Sequence, residues 1–286
     1  MNYGIYVPNF GPYGEVTALA ALGELAEDAG WDGIFIWDHI AGWPQPLVDP
    51  WVALAAIATR TSRVMLGTTV TPLPRRRPWK LARETVSVDR LSGGRLILGV
   101  GIGGGDAEWR DLGEETDLRS RGAMLDEGLR VLTGLWSGET FSFDGAYYTV
   151  REARFLPTPL QNPRVPVWVG GFWPNKAPFR RMARWDGMFP LFADVESYED
   201  ELRQLREAVA FVRSHRESSQ PLDVVATGIT PGDKPSRASE IVGWYEDAGA
   251  TWWLEAIAPY RIGLGFDSEW PAEVLRARVA QGPPGA

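Results

Sequence analysis

Short apolar runs alternate with longer segments of helical apolar spacing along almost the whole chain of 286 residues. The first pair shows the pattern: residues 3–8 form an apolar run that ends at a proline, and residues 16–29 repeat apolar positions at helical intervals up to Gly30. Strands are predicted at 3–8, 32–37, 64–70, 95–101, 165–169, 186–191, 222–227 and 251–257. Helices are predicted at 16–29, 51–59, 78–91, 119–136, 176–184, 198–214, 235–248 and 268–279.

This alternation, with no break in composition, predicts one α/β domain over residues 1–286. Runs such as Val64-Met65-Leu66 and Leu96-Ile97-Leu98 are apolar on both faces, which is typical of parallel strands covered by helices. We favour a closed (β/α)8 barrel, or TIM barrel, of about 250 residues over an open doubly wound sheet. Residues 139–165 interrupt the alternation as a small hairpin insertion that turns at Asp144-Gly145, and the Gly/Pro-rich residues 281–286 are expected to fray.

Composition narrows the possible functions. The net charge of −8 argues against nucleic-acid binding, which needs clustered Lys and Arg. The chain has no cysteine for thiolate chemistry and too few histidines, two, for a multi-histidine zinc hydrolase, so no metal is expected. No apolar run approaches the ~20 residues that span a bilayer. We expect a cytoplasmic protein that binds a small molecule, and the 14 tryptophans suit an apolar pocket.

Active sites of such barrels lie at the carboxyl ends of the strands. The second predicted strand ends in Asp38-His39, and a histidine there can act as general acid or base near neutral pH. The alternative is a loop histidine held by a backbone carbonyl. Phe10 and Trp173 lie near strand ends as well, and are candidate walls of a substrate pocket or parts of the core.

Glycines follow two other predicted strands. The run Gly99-Val100-Gly101-Ile102-Gly103-Gly104-Gly105 lies mid-chain before a polar loop, which disfavours a Rossmann site and favours close approach of the backbone to a ring. Gly170-Gly171 precedes a helix and predicts an anion site, with a tight turn as the alternative.

Charged residues near strand ends give further candidates. Asp106 and Glu108 are interpreted as acid or base groups near the substrate, with solvated loop carboxylates as the alternative. Glu255 either reaches into the barrel mouth or forms a structural ion pair. Arg75-Arg76-Arg77 is expected to cap a loop at the mouth or to face solvent.

Seven motifs spread over nearly the whole chain share a recognisable pattern: Trp37-Asp38-His39, Leu66-Gly67-Thr68-Thr69-Val70, Leu91-Ser92-Gly93-Gly94-Arg95-Leu96, Leu98-Gly99-Val100-Gly101, Leu135-Trp136-Ser137-Gly138, Phe143-Asp144-Gly145-Ala146-Tyr147-Tyr148 and Val167-Trp168-Val169-Gly170-Gly171. They resemble motifs of the bacterial luciferase-like flavin and deazaflavin oxidoreductases, a (β/α)8-barrel family. The resemblance is strongest to the short members that use coenzyme F420.

The resemblance implies a site. In F420-dependent members the residues matching Asp38 and His39 lie beside the deazaflavin, and the one matching Trp43 lines the pocket. A non-proline cis peptide matching Thr69–Val70 backs the ring. With the glycine runs, this predicts a cofactor site of Asp38, Thr68, Thr69, Val70, Gly101, Gly170 and Gly171, with the cofactor phosphate near the last two.

The expected function is F420-dependent hydride transfer to or from an apolar or aromatic small molecule, with His39 handling a substrate proton. An FMN-dependent monooxygenase working with a separate flavin reductase is the alternative, and a non-catalytic flavin-binding barrel is the second. Family members that act on sugar phosphates carry basic residues after the sixth strand. Residues 189–194 contain no lysine, which disfavours such a substrate. The resemblance also implies a homodimer and a reductase that supplies reduced cofactor.

Overall fold

The computed structural model describes residues 1–284, apart from the side chain of Asp106. The strands are β1 Asn2–Val7, β2 Gly33–Ile36, β3 Met65–Thr68, β4 Thr71–Pro72, β5 Leu96–Gly101, β6 Phe141–Asp144, β7 Thr149–Ala153, β8 Val167–Trp173, β9 Gly187–Phe192, β10 Asp223–Gly228 and β11 Trp252–Ala256. The α-helices are α1 Val16–Asp28, α2 Pro50–Arg60, α3 Pro78–Leu91, α4 Asp106–Arg110, α5 Leu118–Trp136, α6 Lys176–Met182, α7 Tyr198–His215, α8 Pro235–Asp247 and α9 Ala272–Ala280. Short 3-10 helices lie at Gly11–Tyr13, Leu73–Arg75 and Pro259–Ile262.

Parallel strands close into a barrel. β1 lies between β2 and β11, and the order continues through β10, β9, β8 and β5 back to β3. The pairs Leu66–Leu96 and Gly67–Ile97 between β3 and β5 close the ring. β4 continues the third strand of the barrel after an interruption at residues 69–70 and pairs with the end of β5. The closed eight-stranded parallel barrel with helices confirms the predicted fold.

The barrel interior is packed with side chains. Phe35 stacks on Trp168 with ring centroids 4.8 Å apart, and Trp252 meets both rings edge-on. Phe189 and Leu254 join the same buried cluster. A second and larger cluster fills the layer between strands and helices. Because the interior is filled in this way, a ligand has room only at an end of the barrel.

The main elements lie within a few residues of their predicted positions, whereas two short ones were missed. The hairpin insertion forms as β6 and β7, which pair antiparallel across residues 145–148. Helix α4 follows three glycines and is too short to show a period, and β4 contains a proline. Of the residues expected to fray, Gly282 is buried and accepts a hydrogen bond from Arg278, while residues 285–286 lie outside the described chain. No helix within residues 1–284 is long and apolar enough to cross a membrane.

Candidate active site at the carboxyl ends of the strands

His39 lies three residues after the end of β2, and a buried asparagine fixes its backbone. Asn9, at the end of β1, accepts a hydrogen bond from the His39 backbone N–H at 3.2 Å and donates to its carbonyl at 2.8 Å. The second amide proton of Asn9 goes to the Val48 carbonyl. The His39 ring packs near Phe10 and Trp43, and 24% of its side chain is exposed. The loop is therefore anchored while the imidazole stays accessible.

A buried carboxylate faces one nitrogen of this imidazole. His39 Nδ1 lies 3.1 Å from Glu108 Oε1, which also accepts the backbone N–H groups of Ile40 and Ala41 at 2.7 and 3.2 Å. Glu108 Oε2 accepts from Arg75 at 2.8 Å. Burial alone would raise the pKa of Glu108, but the hydrogen bonds from His39 and Ile40 and the charge of Arg75 lower it below its ordinary value. Glu108 is thus a buried, ionised carboxylate and not a solvated one.

Asp38 does not reach the surface of the mouth. Its side chain is fully buried, and its carboxylate accepts hydrogen bonds from Arg75, Arg76 and Thr71 at 2.7–2.9 Å. The Asp38 oxygens are thus occupied by neighbouring side chains, and the contact of Asp38 with the cofactor and its share in catalysis stay predictions. Arg75 and Arg76 do not face solvent, since their side chains are only 3% and 15% exposed, and Arg75 binds the start of the loop after β2 through the Asp38 carbonyl.

The interruption of the third barrel strand forms the floor of the mouth. The Thr69–Val70 peptide is cis, as the resemblance implies. Thr68 is turned away, since its hydroxyl is buried and donates to the Gly99 carbonyl at 3.0 Å. The buried Thr69 hydroxyl has no hydrogen-bond partner within residues 1–284, and the Val70 side chain is half-buried.

Glycines at the ends of β5 and β8 make room for Val70. A β-carbon on Gly101 would lie 2.7 Å from Val70 Cγ2, and one on Gly170 would lie 3.0 Å from Val70 Cγ1. The β-carbon side of Gly171 is instead taken by Pro178 of α6, at 2.4 Å. Gly101 and Gly170 therefore leave space for the Val70 side chain, and Gly171 lets α6 pack closely against β8.

Aromatic rings wall the mouth beside His39. Phe10 and Trp43 stack with centroids 4.2 Å apart and ring planes 13° apart. Phe10 is fully buried, so it supports Trp43, which remains half-buried. Phe266, from the loop after Pro259–Ile262, meets Phe10, Trp37 and Trp43 at 5.3–5.8 Å. The sequence prediction missed Phe266 because it is far from any strand end along the chain.

Two predicted pocket residues lie elsewhere. Trp173 is buried in the helical layer against Phe179 and Phe211, with the Lys176 ammonium 3.4 Å from its ring centroid. It therefore does not line the mouth, because its position near the end of β8 turns it outward. The side chain of Asp106, also predicted for the pocket, lies outside the described residues.

Glu255, which was also predicted for the pocket, does not line the mouth. It is fully buried and accepts hydrogen bonds from Thr230 through both N–H and hydroxyl, from the Trp253 indole at 2.9 Å, and from Arg261. Arg278 of α9 lies 3.4 Å away. Glu255 points outward from β11, so it forms the structural ion pair and not a pocket wall.

The described side chains fit a flavin-type ring better than a metal. The half-buried Val70 gives an apolar support, the unpartnered Thr69 hydroxyl leaves a polar group available, and His39 Nε2 has no partner within residues 1–284. No group of three or more His, Cys, Asp or Glu side chains is arranged to hold a metal ion among the side chains that the structure describes.

Comparison with known proteins identifies the family of the chain. The model of the luciferase-like monooxygenase family matches residues 1–275, and the chain belongs to that family. An F420-dependent glucose-6-phosphate dehydrogenase of Microbacterium testaceum is 34% identical over 171 residues, which cover 58% of this chain and 48% of that protein. An F420-dependent hydroxymycolic acid dehydrogenase of Mycobacterium tuberculosis is 32% identical over 163 residues, covering 56% and 45%. The matches span about half the length of these relatives.

Solved structures share the whole barrel. A coenzyme F420-dependent tetrahydromethanopterin reductase from Methanopyrus kandleri aligns over 99% of this chain and 98% of its own, with a TM-score of 0.74 and 16% identity. A monooxygenase from Streptomyces bottropensis aligns over 98% and 96%, with a TM-score of 0.73 and 20% identity. At these low sequence identities, the similarity shows a shared fold and nothing about activity.

Proposed function

We propose that this protein is an oxidoreductase that binds coenzyme F420 at the barrel mouth and transfers a hydride to or from an apolar or aromatic small molecule. The observation that carries the proposal is the accessible His39 imidazole, anchored by a buried carboxylate at the same end of the barrel as Val70. A bound deazaflavin supplies the hydride chemistry at its C5 atom. Both relatives described above are named as F420-dependent dehydrogenases, which supports the choice of cofactor.

The residues of this chain would support the ring, exchange a proton with the substrate and exclude water. Val70 supports one face of the ring, and the Thr69 hydroxyl is available to one of its polar atoms. His39 takes the proton from a substrate hydroxyl, or returns it to a carbonyl oxygen, as the hydride moves. Trp43 and Phe266 exclude water from that side of the mouth, which strengthens the interactions within it.

The walls of the mouth support an apolar or aromatic substrate. Phe10, Trp43 and Phe266 form a continuous aromatic surface next to His39. At the end of β9, Leu191 and Phe192 stand in the stretch that contains no lysine for a phosphate group. We therefore propose a secondary alcohol or carbonyl compound with an apolar body, in contrast to the sugar phosphate named for several relatives.

FMN is the alternative cofactor, since the family also includes monooxygenases that share the fold. In that case a separate flavin reductase would supply reduced FMN. If the cofactor is F420, we also propose a homodimer in the cytoplasm and an F420 reductase that supplies reduced cofactor. Size-exclusion chromatography with light scattering tests the dimer.

Cofactor titration tests the proposed function. Separate additions of F420 and FMN, followed by quenching of protein fluorescence, should give a micromolar or tighter dissociation constant for F420 and weaker binding of FMN. Tighter binding of FMN would favour the monooxygenase, and binding without turnover of any substrate would favour the non-catalytic barrel. No binding of either cofactor would refute the proposal.

A further inference from the structure

We propose that the Tyr6 hydroxyl recognises the substrate in the barrel mouth, where it donates a hydrogen bond to a neutral oxygen other than the one that exchanges a proton with His39. The substrate class then narrows to apolar ketones or alcohols that carry a second neutral acceptor, such as an ester or another carbonyl group. This inference deepens the proposed function and, as a statement about the reaction, rests on it.

The Tyr6 side chain points from β1 into the barrel interior, at the end that forms the mouth. Ile5 and Val7, on either side of it, are buried in the layer between strands and helices, whereas Tyr6 packs on the interior cluster. Its ring centroid lies 5.9 Å from that of Phe189. The interior below is filled by fully buried rings such as Phe35. The exposed part of the half-buried Tyr6 side chain therefore lies in the mouth.

The Tyr6 hydroxyl is available to a ligand as a donor. Within residues 1–284 it makes no hydrogen bond, and it is not enclosed, whereas the hydroxyl of Tyr13 is both buried and without a partner there. Burial of the ring and the nearby hydroxyl of Tyr260 raise the pKa of Tyr6 above its ordinary value. The phenol thus keeps its proton at neutral pH and can donate it to an acceptor.

The surroundings of this hydroxyl favour a neutral acceptor over an anion. Among the described residues, no charged side chain contributes to the shifted pKa of Tyr6. The guanidinium of Arg261, next to Tyr260 in the chain, is directed at Glu255 and at the Thr230 carbonyl. A carboxylate or phosphate beside Tyr6 would lie among aromatic rings without a counter-charge, which is unfavourable, whereas an ester or ketone oxygen carries no such cost.

An indole spaces the Tyr6 hydroxyl from the His39 imidazole. The Trp37 ring centroid lies 5.2 Å from that of Tyr6 and 5.6 Å from that of His39. The Tyr6 and His39 rings make no contact with each other in the described part of the chain. A substrate that reaches both polar groups therefore needs two oxygen atoms joined by an apolar body, which the Trp37 ring can support.

Matched substrates test the inference. A series of linear keto esters is compared in F420-dependent turnover with methyl ketones of the same chain length. The wild type should prefer the best keto ester in kcat/KM by about fivefold to tenfold, as expected for one additional hydrogen bond. In Tyr6→Phe, which removes only the hydroxyl, this preference should disappear. A wild type without the preference, or a Tyr6→Phe variant that keeps it, would overturn the inference.

Two controls make the comparison specific. Keto carboxylates of the same length should not share the preference, and a preference for them over the keto esters would contradict a neutral acceptor. Tyr13→Phe removes a buried hydroxyl that also lacks a partner within residues 1–284, so it should keep the wild-type preference. Loss of the preference in Tyr13→Phe would show a general effect that contradicts a specific role of Tyr6. If Tyr6→Phe fails to fold, Tyr6→Leu takes its place with the same expectation.

Binding measured without turnover separates this inference from the proposed function. The indole N–H signal of Trp37, identified by its loss in Trp37→Phe, reports ligands beside Tyr6 in nuclear magnetic resonance titrations with and without F420. The keto ester should bind about fivefold to tenfold more tightly than the methyl ketone, and Tyr6→Phe should remove the difference. Equal affinities in the wild type would overturn the inference. If neither F420 nor FMN binds the protein, the proposed function fails and this titration still decides the role of Tyr6.

Discussion

The Cγ2 atom of Val70 lies 2.7 Å from the point where a β-carbon on Gly101 would stand. Real β-carbons do not make contacts this short, and the branched Val70 side chain has little freedom to move away. The absence of a side chain at Gly101 therefore allows Val70 to take its position in the floor of the mouth.

The first prediction concerns this contact. Gly101→Ala should push Val70 toward the mouth, reduce the free energy of unfolding by about 1–3 kcal/mol, and weaken F420 binding about tenfold. Fluorescence titration and urea denaturation measure the two effects. Gly104→Ala is the matched control on the same loop, because a β-carbon there would meet nothing within 4 Å. Equal F420 affinities in both variants would contradict the claim that Val70, positioned by Gly101, supports the cofactor ring.

His39 should matter for turnover more than for binding. His39→Ala is expected to lower kcat by about 10²-fold or more, since a general acid or base is lost, while the F420 dissociation constant changes little. Steady-state kinetics and titration check this, with the exposed His215→Ala as control. Unchanged turnover would mean that His39 has a structural role and not a catalytic one.

Glu255 should matter for stability only. Glu255→Gln leaves Arg261 and Arg278 without their buried counter-charge, so the free energy of unfolding should fall by about 3 kcal/mol while kcat/KM of the folded protein is retained. Glu240→Gln, which breaks an exposed pair with Arg237, should change stability by less than about 1 kcal/mol. A loss of kcat/KM in Glu255→Gln without a loss of stability would show that Glu255 contributes to the substrate pocket after all.

Glu27 should give stability that depends on pH. Burial would raise its pKa, but hydrogen bonds from the backbone N–H groups of Val64, Arg63 and Ser62 prevail and lower the pKa to about 2, from 4.5. Because the folded state holds its proton less tightly than the unfolded state, the stabilisation is present above pH 4.5 and is lost as the pH falls toward about 2.

The corresponding experiment compares Glu27→Gln with the wild type by urea denaturation across that range. The variant should be less stable by about 2 kcal/mol at neutral pH, and the difference should shrink as the pH falls below 4.5. Glu24→Gln, on the exposed side of the same helix, should show little difference at any pH. A difference for Glu27→Gln that is independent of pH would contradict the lowered pKa.

The barrel could be predicted from the sequence because each of its strands and helices has a recognisable pattern within its own segment of the chain. Strand periods, glycine stops and prolines at helix starts, such as Pro78 in α3, are all visible along the chain. His39 was predicted from its position after a strand end and from the family resemblance, whereas the cis peptide before Val70 was predicted from the resemblance alone.

The partners of charged residues could not be predicted in the same way. Asp38, Glu108 and Glu255 each lie beside arginines distant in sequence, and only the fold shows that those arginines are close enough to neutralise them. Asn9 directly after the first strand was a local signal that could have been read, since a buried amide at a strand end has to find partners. Phe266 had no comparable signal.

Anaerobic hydride transfer is the most direct test of the proposed function. Reduced F420 is mixed with the protein and a series of apolar ketones and aldehydes, and the reoxidation of the cofactor is followed by its absorbance, with matching alcohols and oxidised F420 for the reverse direction. Reoxidation of F420 should require the carbonyl compound, should need no oxygen, and should become about 10²-fold slower in His39→Ala. Turnover that requires FMN and oxygen, or no turnover with F420 and any apolar substrate while a sugar phosphate is consumed, would contradict it.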